Sequence, residues 1–356
     1  MAERGEDFFK DPANLRKIPQ NFDINPDFEG STIVDFDPSL VGNFNEFLTK
    51  GKETANQLRT LGEAFEIWKE TLRDNKNVIY LGLSGDMVTA GMAPVIRTMI
   101  EKGYIDGIFS QGANLFHDTA TTLGYRRRQT TPQKYPDTEL FSRGAVRMYD
   151  TLEATESQVF TPLMMAHLAK ELTGDGPKVL NTRQLYYHIG RFLVENGLEK
   201  VPGILTTAYR HNVPVWVAGA ESSVLMMDLA AAVNKGKFPI EVGITKDLLD
   251  HASVQDRLES LGYRTSLVEI GGGASSVPMV EHNPHHSHGS QGENLSWGKF
   301  DPEGRRTTVY MDATVALPML VLGLLQSREV SDIMSRRKPL KFSNLSGEQL
   351  QIQKPN

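Results

Sequence analysis

The chain has 356 residues, 39% of them hydrophobic and 23% charged, with a formal net charge of -6. That balance is wrong for a general nucleic-acid binder, which needs clustered Lys and Arg facing phosphates, and suits a cationic ligand better. The absence of cysteine excludes disulfides, cysteine nucleophiles and Cys-based metal sites, leaving covalent catalysis to Lys, Ser, Thr, His or a carboxylate.

Residues 1 to 45 are rich in Asp, Asn, Pro and Phe without a sustained period and read as an irregular N-terminal arm. The first residues, Met1 to Asp7, carry both signs of charge and no apolar stretch, so a cytoplasmic protein is expected. From Asn43 to Arg73 the apolar residues fall at turn spacing, which predicts a helical N-terminal extension. The chain then alternates. A buried-type strand at 77–83, a helix from Met87 to Lys102 and a strand from Tyr104 to Ser110 close a βαβ unit.

Arg126-Arg127-Arg128 through Pro136 reads as a surface loop, whose arginines would otherwise suit an acidic partner. Further strands are expected at 213–218, 265–270 and 307–311. Helices are expected at Thr182–Glu195, Ser222–Asn234, Asp247–Leu261 and Thr314–Gln326. The longest apolar run, Val315 to Leu325, is interrupted by Pro318 and Gly323 and is too short to span a bilayer, so no membrane partner is expected. Strands alternating with helices imply one α/β domain over 46–330, its mostly parallel sheet covered by helices on both faces. Residues 331–356 read as a polar C-terminal tail.

Chemistry-bearing residues gather at the expected carboxyl ends of strands. Gly82-Leu83-Ser84-Gly85-Asp86 follows the first strand. It fits either a turn offering backbone N–H groups to a pyrophosphate or a tight βα turn capped by Ser84 or Asp86. Ser110-Gln111-Gly112 ends the next strand, Gly271-Gly272-Gly273 follows the strand at 265–270, and Asp312 follows the run at 307–311. Convergence of these ends on one edge points to a cofactor crevice. His282 to His288 places four imidazoles in seven positions, which fits a polar loop better than a zinc or nickel site because no regular helical pair is present; no metal is expected.

Lys299 follows Ser296-Trp297-Gly298, with Glu293 six positions earlier. A lysine in such a setting is most often a solvated turn residue. As a nucleophile it must be neutral, and Trp297 offers an apolar wall while Glu293 offers a proton acceptor or substrate anchor.

These motifs together resemble the deoxyhypusine synthase family, in order from about Gly51 to Gln326. Ser296-Trp297-Gly298-Lys299 matches the family's most specific motif, Glu293 falls at its acidic substrate residue, and 271–273 and 309–313 match in type and spacing. The resemblance implies a Rossmann-like fold and a homotetramer with active sites between subunits. It also implies NAD held across strand ends by Ser84, Gly85, Asp86, Gly112, Glu221, Ser222, Gly272, Asp312 and Ala313. In the family reaction spermidine is oxidised with NAD, and the lysine, here Lys299, captures the aminobutyl fragment as an imine while 1,3-diaminopropane leaves. An acceptor amine, a protein lysine or a free diamine, then displaces the lysine and the new imine is reduced. A metal-dependent hydrolase using the 282–288 histidines and a non-catalytic nucleotide-binding scaffold are the alternatives.

Several acidic positions depart from the family pattern. Phe116-His117 stand where the family has two consecutive glutamates, and Asn283-Pro284-His285-His286 stand at its Asp-Gly-Ser-Asp. Ala274 to Val277 replace its histidine region, and Glu221 or Ser222 replaces an aspartate on the nicotinamide side. His117 and His286 are thus expected to face the polyamine together with Glu293 and Trp297. Neutral His cannot replace a carboxylate as an ammonium partner, so the substrate is expected to bind differently.

Overall fold

The structure, a computed structural model, describes residues 30–132, 134–220, 223–271 and 303–353. Of the described residues, 30–35 belong to a separate unit, and all elements named below belong to the unit beginning at Phe36. In chain order the strands are β1 (Asn77–Leu83), β2 (Gly107–Gln111), β3 (Arg128–Gln129), β4 (Ala145–Met148), β5 (Thr151–Ala154), β6 (Lys178–Leu180), β7 (Val215–Ala218), β8 (Ile240–Val242), β9 (Arg264–Ile270), β10 (Lys341–Ser343) and β11 (Gln351–Gln353).

The central sheet has the order β7-β2-β1-β9 and is parallel throughout. Every residue of β1 is buried. Its side chains sort by the two-residue period: Ile79, Leu81 and Leu83 enter one core, Val78 and Tyr80 the other. Leu61 and Phe65 of helix Asn56–Arg73, Ile96 of helix Ala93–Glu101 and Leu317 of helix Ala313–Gln326 fill the first core. Helix Ile244–Ser260 and the β10–β11 hairpin cover the opposite face through Val254, Leu258, Leu340 and Phe342. This is the Rossmann-like α/β architecture, with helices on both faces and a helical N-terminal region.

The helix expected over 43–73 is two, Phe44–Gly51 and Asn56–Arg73. They cross so closely that a Cβ on Gly62 would meet the Leu48 carbonyl. The helix expected from Met87 begins at Ala93, because the chain first makes a turn with Gly91 at φ +89° and the Met92 N–H bonded to the Met87 carbonyl. Residues 307–311 carry no strand assignment: the Tyr310 N–H donates to the Gln57 side chain (2.6 Å) in place of a ladder partner. The basic stretch read as a loop contains β3, and β3, β5 and β4 form a small antiparallel sheet. Residues 328–336 are helical, and the following hairpin buries Leu340, Phe342, Leu345 and Leu350 where a polar tail was expected. Among the described residues no single helix is long and apolar enough to cross a membrane.

Candidate functional site

The order in which strands are added reverses at β1. From there the chain steps outward to β2 and β7 on one side, while β9 returns on the other, so the carboxyl ends of β1 and β9 border the switch point at which open α/β sheets bind ligands. At that point the Ser84 N–H donates to the Ile270 carbonyl (3.0 Å). Gly271 follows at φ +82°, a left-handed conformation that favours glycine, and a Cβ there would lie 3.0 Å from that of Ser84. Gly85 is also left-handed, at φ +72°, with open space where a side chain would stand. A cleft of about 910 Å³ opens beside this junction, lined by Glu269 and Gly271 of the β9 end, by Asp312 and Ala313, and by apolar groups including Trp68 and Leu317.

Asp312 begins helix Ala313–Gln326 as its N-cap. Its Oδ1 accepts from both the Thr314 N–H (2.8 Å) and the Thr314 hydroxyl (2.6 Å), and these bonds hold the carboxyl below the usual range. Gly112 starts the helix after β2, and a Cβ there would collide with Ser223, so close packing alone requires glycine at this position. Asn114 ties the β1 turn to that helix, donating to the Gly85 carbonyl (3.0 Å) and accepting from the Val88 N–H (3.1 Å). Neither Ser84 nor Asp86 stands at a helix N-cap; Met92 takes that place.

A web of charge lies along the helix that follows β2. His117 Nδ1 bonds Glu153 Oε2 (3.0 Å), and the Ser157 hydroxyl donates to Glu153 Oε1 (2.9 Å). Arg127 Nη2 donates to the Thr121 hydroxyl (2.8 Å), while its Nη1 stands 3.7 Å from Glu153 Oε2 and makes no hydrogen bond although buried. Burial lowers the Arg127 pKa, and the carboxylates of Glu153, Asp118 and Asp86 pull it back up. Partial desolvation raises the Asp86 carboxyl, opposed by His117 and Arg127. Asp118 accepts the N–H groups of Ile204 (2.7 Å) and Leu205 (3.1 Å) at the start of helix Ile204–His211. Burial nonetheless pushes it up to about 6.

Of the residues singled out in the sequence, the structure brings Ser84, Gly85 and Asp86 to the β1 end and puts Gly112 and His117 on the helix after β2. Asp312 and Ala313 lie on the cleft wall. Lys299, Glu293, Trp297, His286, Glu221, Ser222 and Gly272 lie outside the described residues, as does the histidine cluster. Sequence reasoning missed Glu153 and read Arg127 as part of a surface loop, whereas its side chain lies inward beside Glu153. Glu153 sits in Thr151-Leu152-Glu153-Ala154, whose alternation is inverted: Thr151 and Glu153 are buried while Leu152 and Ala154 are half-buried. A carboxylate on the inward phase of a strand was the available signal.

The deoxyhypusine synthase family model matches residues 46–324. The "Probable deoxyhypusine synthase 2" of Methanosarcina acetivorans is 30% identical over 313 residues, covering 82% of this chain and 88% of that protein. A "Deoxyhypusine synthase-like protein" of Nostoc punctiforme is 26% identical over 326 residues, covering 81% and 82%. The crystal structure titled as a "putative deoxyhypusine synthase" from Entamoeba histolytica superposes with a TM-score of 0.54 at 14% identity, covering 82% of this chain and 96% of that one, a likeness of fold. By the match over its whole α/β core, the chain belongs to the deoxyhypusine synthase family.

Proposed function

We propose that the protein is an NAD-dependent aminoalkyl transferase that moves an aminobutyl group from spermidine, through an imine on Lys299, to an acceptor amine, either a protein lysine or a free diamine. The observation that carries this reading is the β1–β9 switch point opening into the cleft of about 910 Å³. Its chemistry fits a dinucleotide: glycine backbone at Gly271 on the cleft wall for close approach, apolar wall for an aromatic ring, and an Asp312 carboxylate whose Oδ1 alone is engaged by Thr314. Ser84, Gly85, Asp86, Gly112, Asp312 and Ala313, with Glu221, Ser222 and Gly272, are the proposed cofactor contacts. When bound, NAD supplies the oxidant for the donor's amine carbon and the reductant for the product imine.

The chain's own residues have the remaining work. Lys299 must present a neutral amine, for which Trp297 supplies an apolar wall and Glu293 a proton acceptor or substrate anchor. His117 and His286 contact the polyamine. Exclusion of water keeps the imine from hydrolysing. Subunits pair as a homotetramer in the cytoplasm, with sites shared across an interface.

Release of 1,3-diaminopropane from spermidine with NAD present, matched by aminobutyl gain on an acceptor amine, tests the reading. Lys299→Ala is expected to lower transfer by roughly 10,000-fold or more while NAD binding persists. Absence of both products from the wild type across several polyamines would sink it for those donors.

A further inference from the structure

The three arginines of the run Arg126-Arg127-Arg128 do not share one environment. In the antiparallel register Arg128 lies opposite Leu152 and Leu152 opposite Arg147, so these three side chains share one face of the β3–β5–β4 sheet. Strand alternation sends their neighbours the other way: Thr151 and Glu153 are buried, and Arg127 lies inward beside Glu153. Arg126 and Arg128 are exposed, and neither makes a hydrogen bond or ion pair among the described residues. The same face shows what such an arginine can hold. Arg147, on the far side of Leu152, grips the Asp137 carboxylate through Nε (2.7 Å) and Nη2 (2.6 Å), the bidentate fork that a guanidinium makes with a carboxylate. Its backbone stands about 10 Å from that of Arg128, two strand spacings away. Asp137 opens the short helix Asp137–Leu140, and Lys134 and Arg143, on either side of that helix in sequence, both stand 5.4 Å from the Tyr135 ring. At the β4–β5 turn Tyr149 takes φ +46°, a left-handed conformation uncommon for a bulky residue, and is 77% exposed. Residues 125–150 hold six basic and three acidic side chains in a chain whose net charge is -6.

We propose that this face is a docking surface for an acidic segment of a partner protein. Its carboxylates sit on Arg126 and Arg128 as Asp137 sits on Arg147, and its apolar side chains cover Leu152 and Tyr149. The surface draws nothing from the transferase reading and stands without it. Carboxylates on a polypeptide fit better here than the phosphates of a nucleic acid. The row Arg128–Leu152–Arg147 alternates charge with an apolar side chain, and one of its arginines is already neutralised, so it lacks the continuous basic track that phosphates require. The acidic remainder of the chain also repels a long polyanion, whereas a short acidic segment meets only the basic face.

The test measures binding of a fluorescein-labelled peptide, about twelve residues of Asp and Glu with Phe at every third position, to the full-length protein by fluorescence anisotropy. Arg126→Glu combined with Arg128→Glu removes two ion pairs and adds repulsion, and should weaken binding by about 10-fold or more. Neither arginine makes a bond within the fold, so this variant should fold as the wild type does. Lys102→Glu combined with Lys235→Glu reverses two exposed charges elsewhere and should leave binding within about twofold. Tyr149→Ser should weaken it by about threefold, which a contact made by charge alone would not show. Raising the salt from about 50 to about 300 mM should bring the wild type toward the arginine variant. The proposal is overturned if the wild type does not bind the peptide at about 1 mM and low salt, or if both double reversals weaken binding equally, which would be an effect of net charge. It is overturned too if a thymidine oligonucleotide of equal length binds more tightly than the peptide, which would make the face a nucleic-acid surface. A change of mass by light scattering in Arg126→Glu with Arg128→Glu would show that the face joins copies of this chain, and the proposal would fall.

Discussion

Two buried charge clusters in this protein look alike in composition and differ in completeness. On the β10–β11 side of the sheet, Arg183 is wholly buried. Its Nε and Nη2 bond both oxygens of Asp250 (2.7 and 2.8 Å), Nη1 bonds the Leu345 carbonyl and Nη2 also reaches that of Gly347; Trp216 Nε1 completes Asp250 (3.1 Å). Beside the helix that follows β2, Arg127 is also largely buried, but its Nη1 lacks a hydrogen bond and the carboxylates around it outnumber the cations. A satisfied network fastens the fold, here the C-terminal hairpin to the helix Thr182–Glu195. An incomplete one leaves polar capacity unused by the fold.

Removing one partner tests how far the two differ. Arg183→Ala strands Asp250 in the interior and detaches the hairpin carbonyls, so urea unfolding should register a loss of about 3–5 kcal/mol. An intermediate effect is expected from pH. Asp118 has its folded pKa raised to about 6 from an ordinary 3.8, so the folded state holds a proton that the unfolded chain releases. Its contribution to stability is therefore complete below pH 3.8 and is lost as pH rises through 6. Asp247, also raised to about 6 by burial, acts in the same direction. Unfolding curves at pH 4 and 6.5 should differ more in the wild type than in Asp118→Asn, by about 1–3 kcal/mol. Equal differences would show that Asp118 stays ionised. The smallest change is expected from Arg127→Gln, about 1 kcal/mol, because only the Nη2 bond to Thr121 is lost and His117 and Ser157 still hold Glu153. A loss as large as that of Arg183→Ala would erase the distinction between the clusters.

The sequence made the parallel sheet legible where periodicity was strong. The helix Thr182–Glu195 lies where it was expected, and the strand at 264–270 differs only by Arg264. Legibility failed where tertiary contacts outweigh pattern. Gly62 reads as an ordinary helical glycine until the crossing with Leu48 shows its purpose. The run at 307–311 has strand composition, but composition cannot say whether a neighbour will pair with it. Arg127 lies in a basic run that looks solvated, and only the β3–β5 pairing turns it inward beside Glu153. Gly271, Asp312 and the Ser84 turn were found by motif and lie at or beside one cleft. The His117–Glu153 bond spans 36 positions and has no local signature.

The central claim is that Lys299 carries the aminobutyl group, and mass analysis after reductive trapping tests it most directly. Incubated with NAD and spermidine and then quenched with borohydride, the wild type should yield a peptide bearing one aminobutyl group on Lys299, absent when NAD is omitted and absent from Lys299→Ala. An unmodified Lys299 alongside released 1,3-diaminopropane, or an adduct that persists on another lysine in Lys299→Ala, would contradict it.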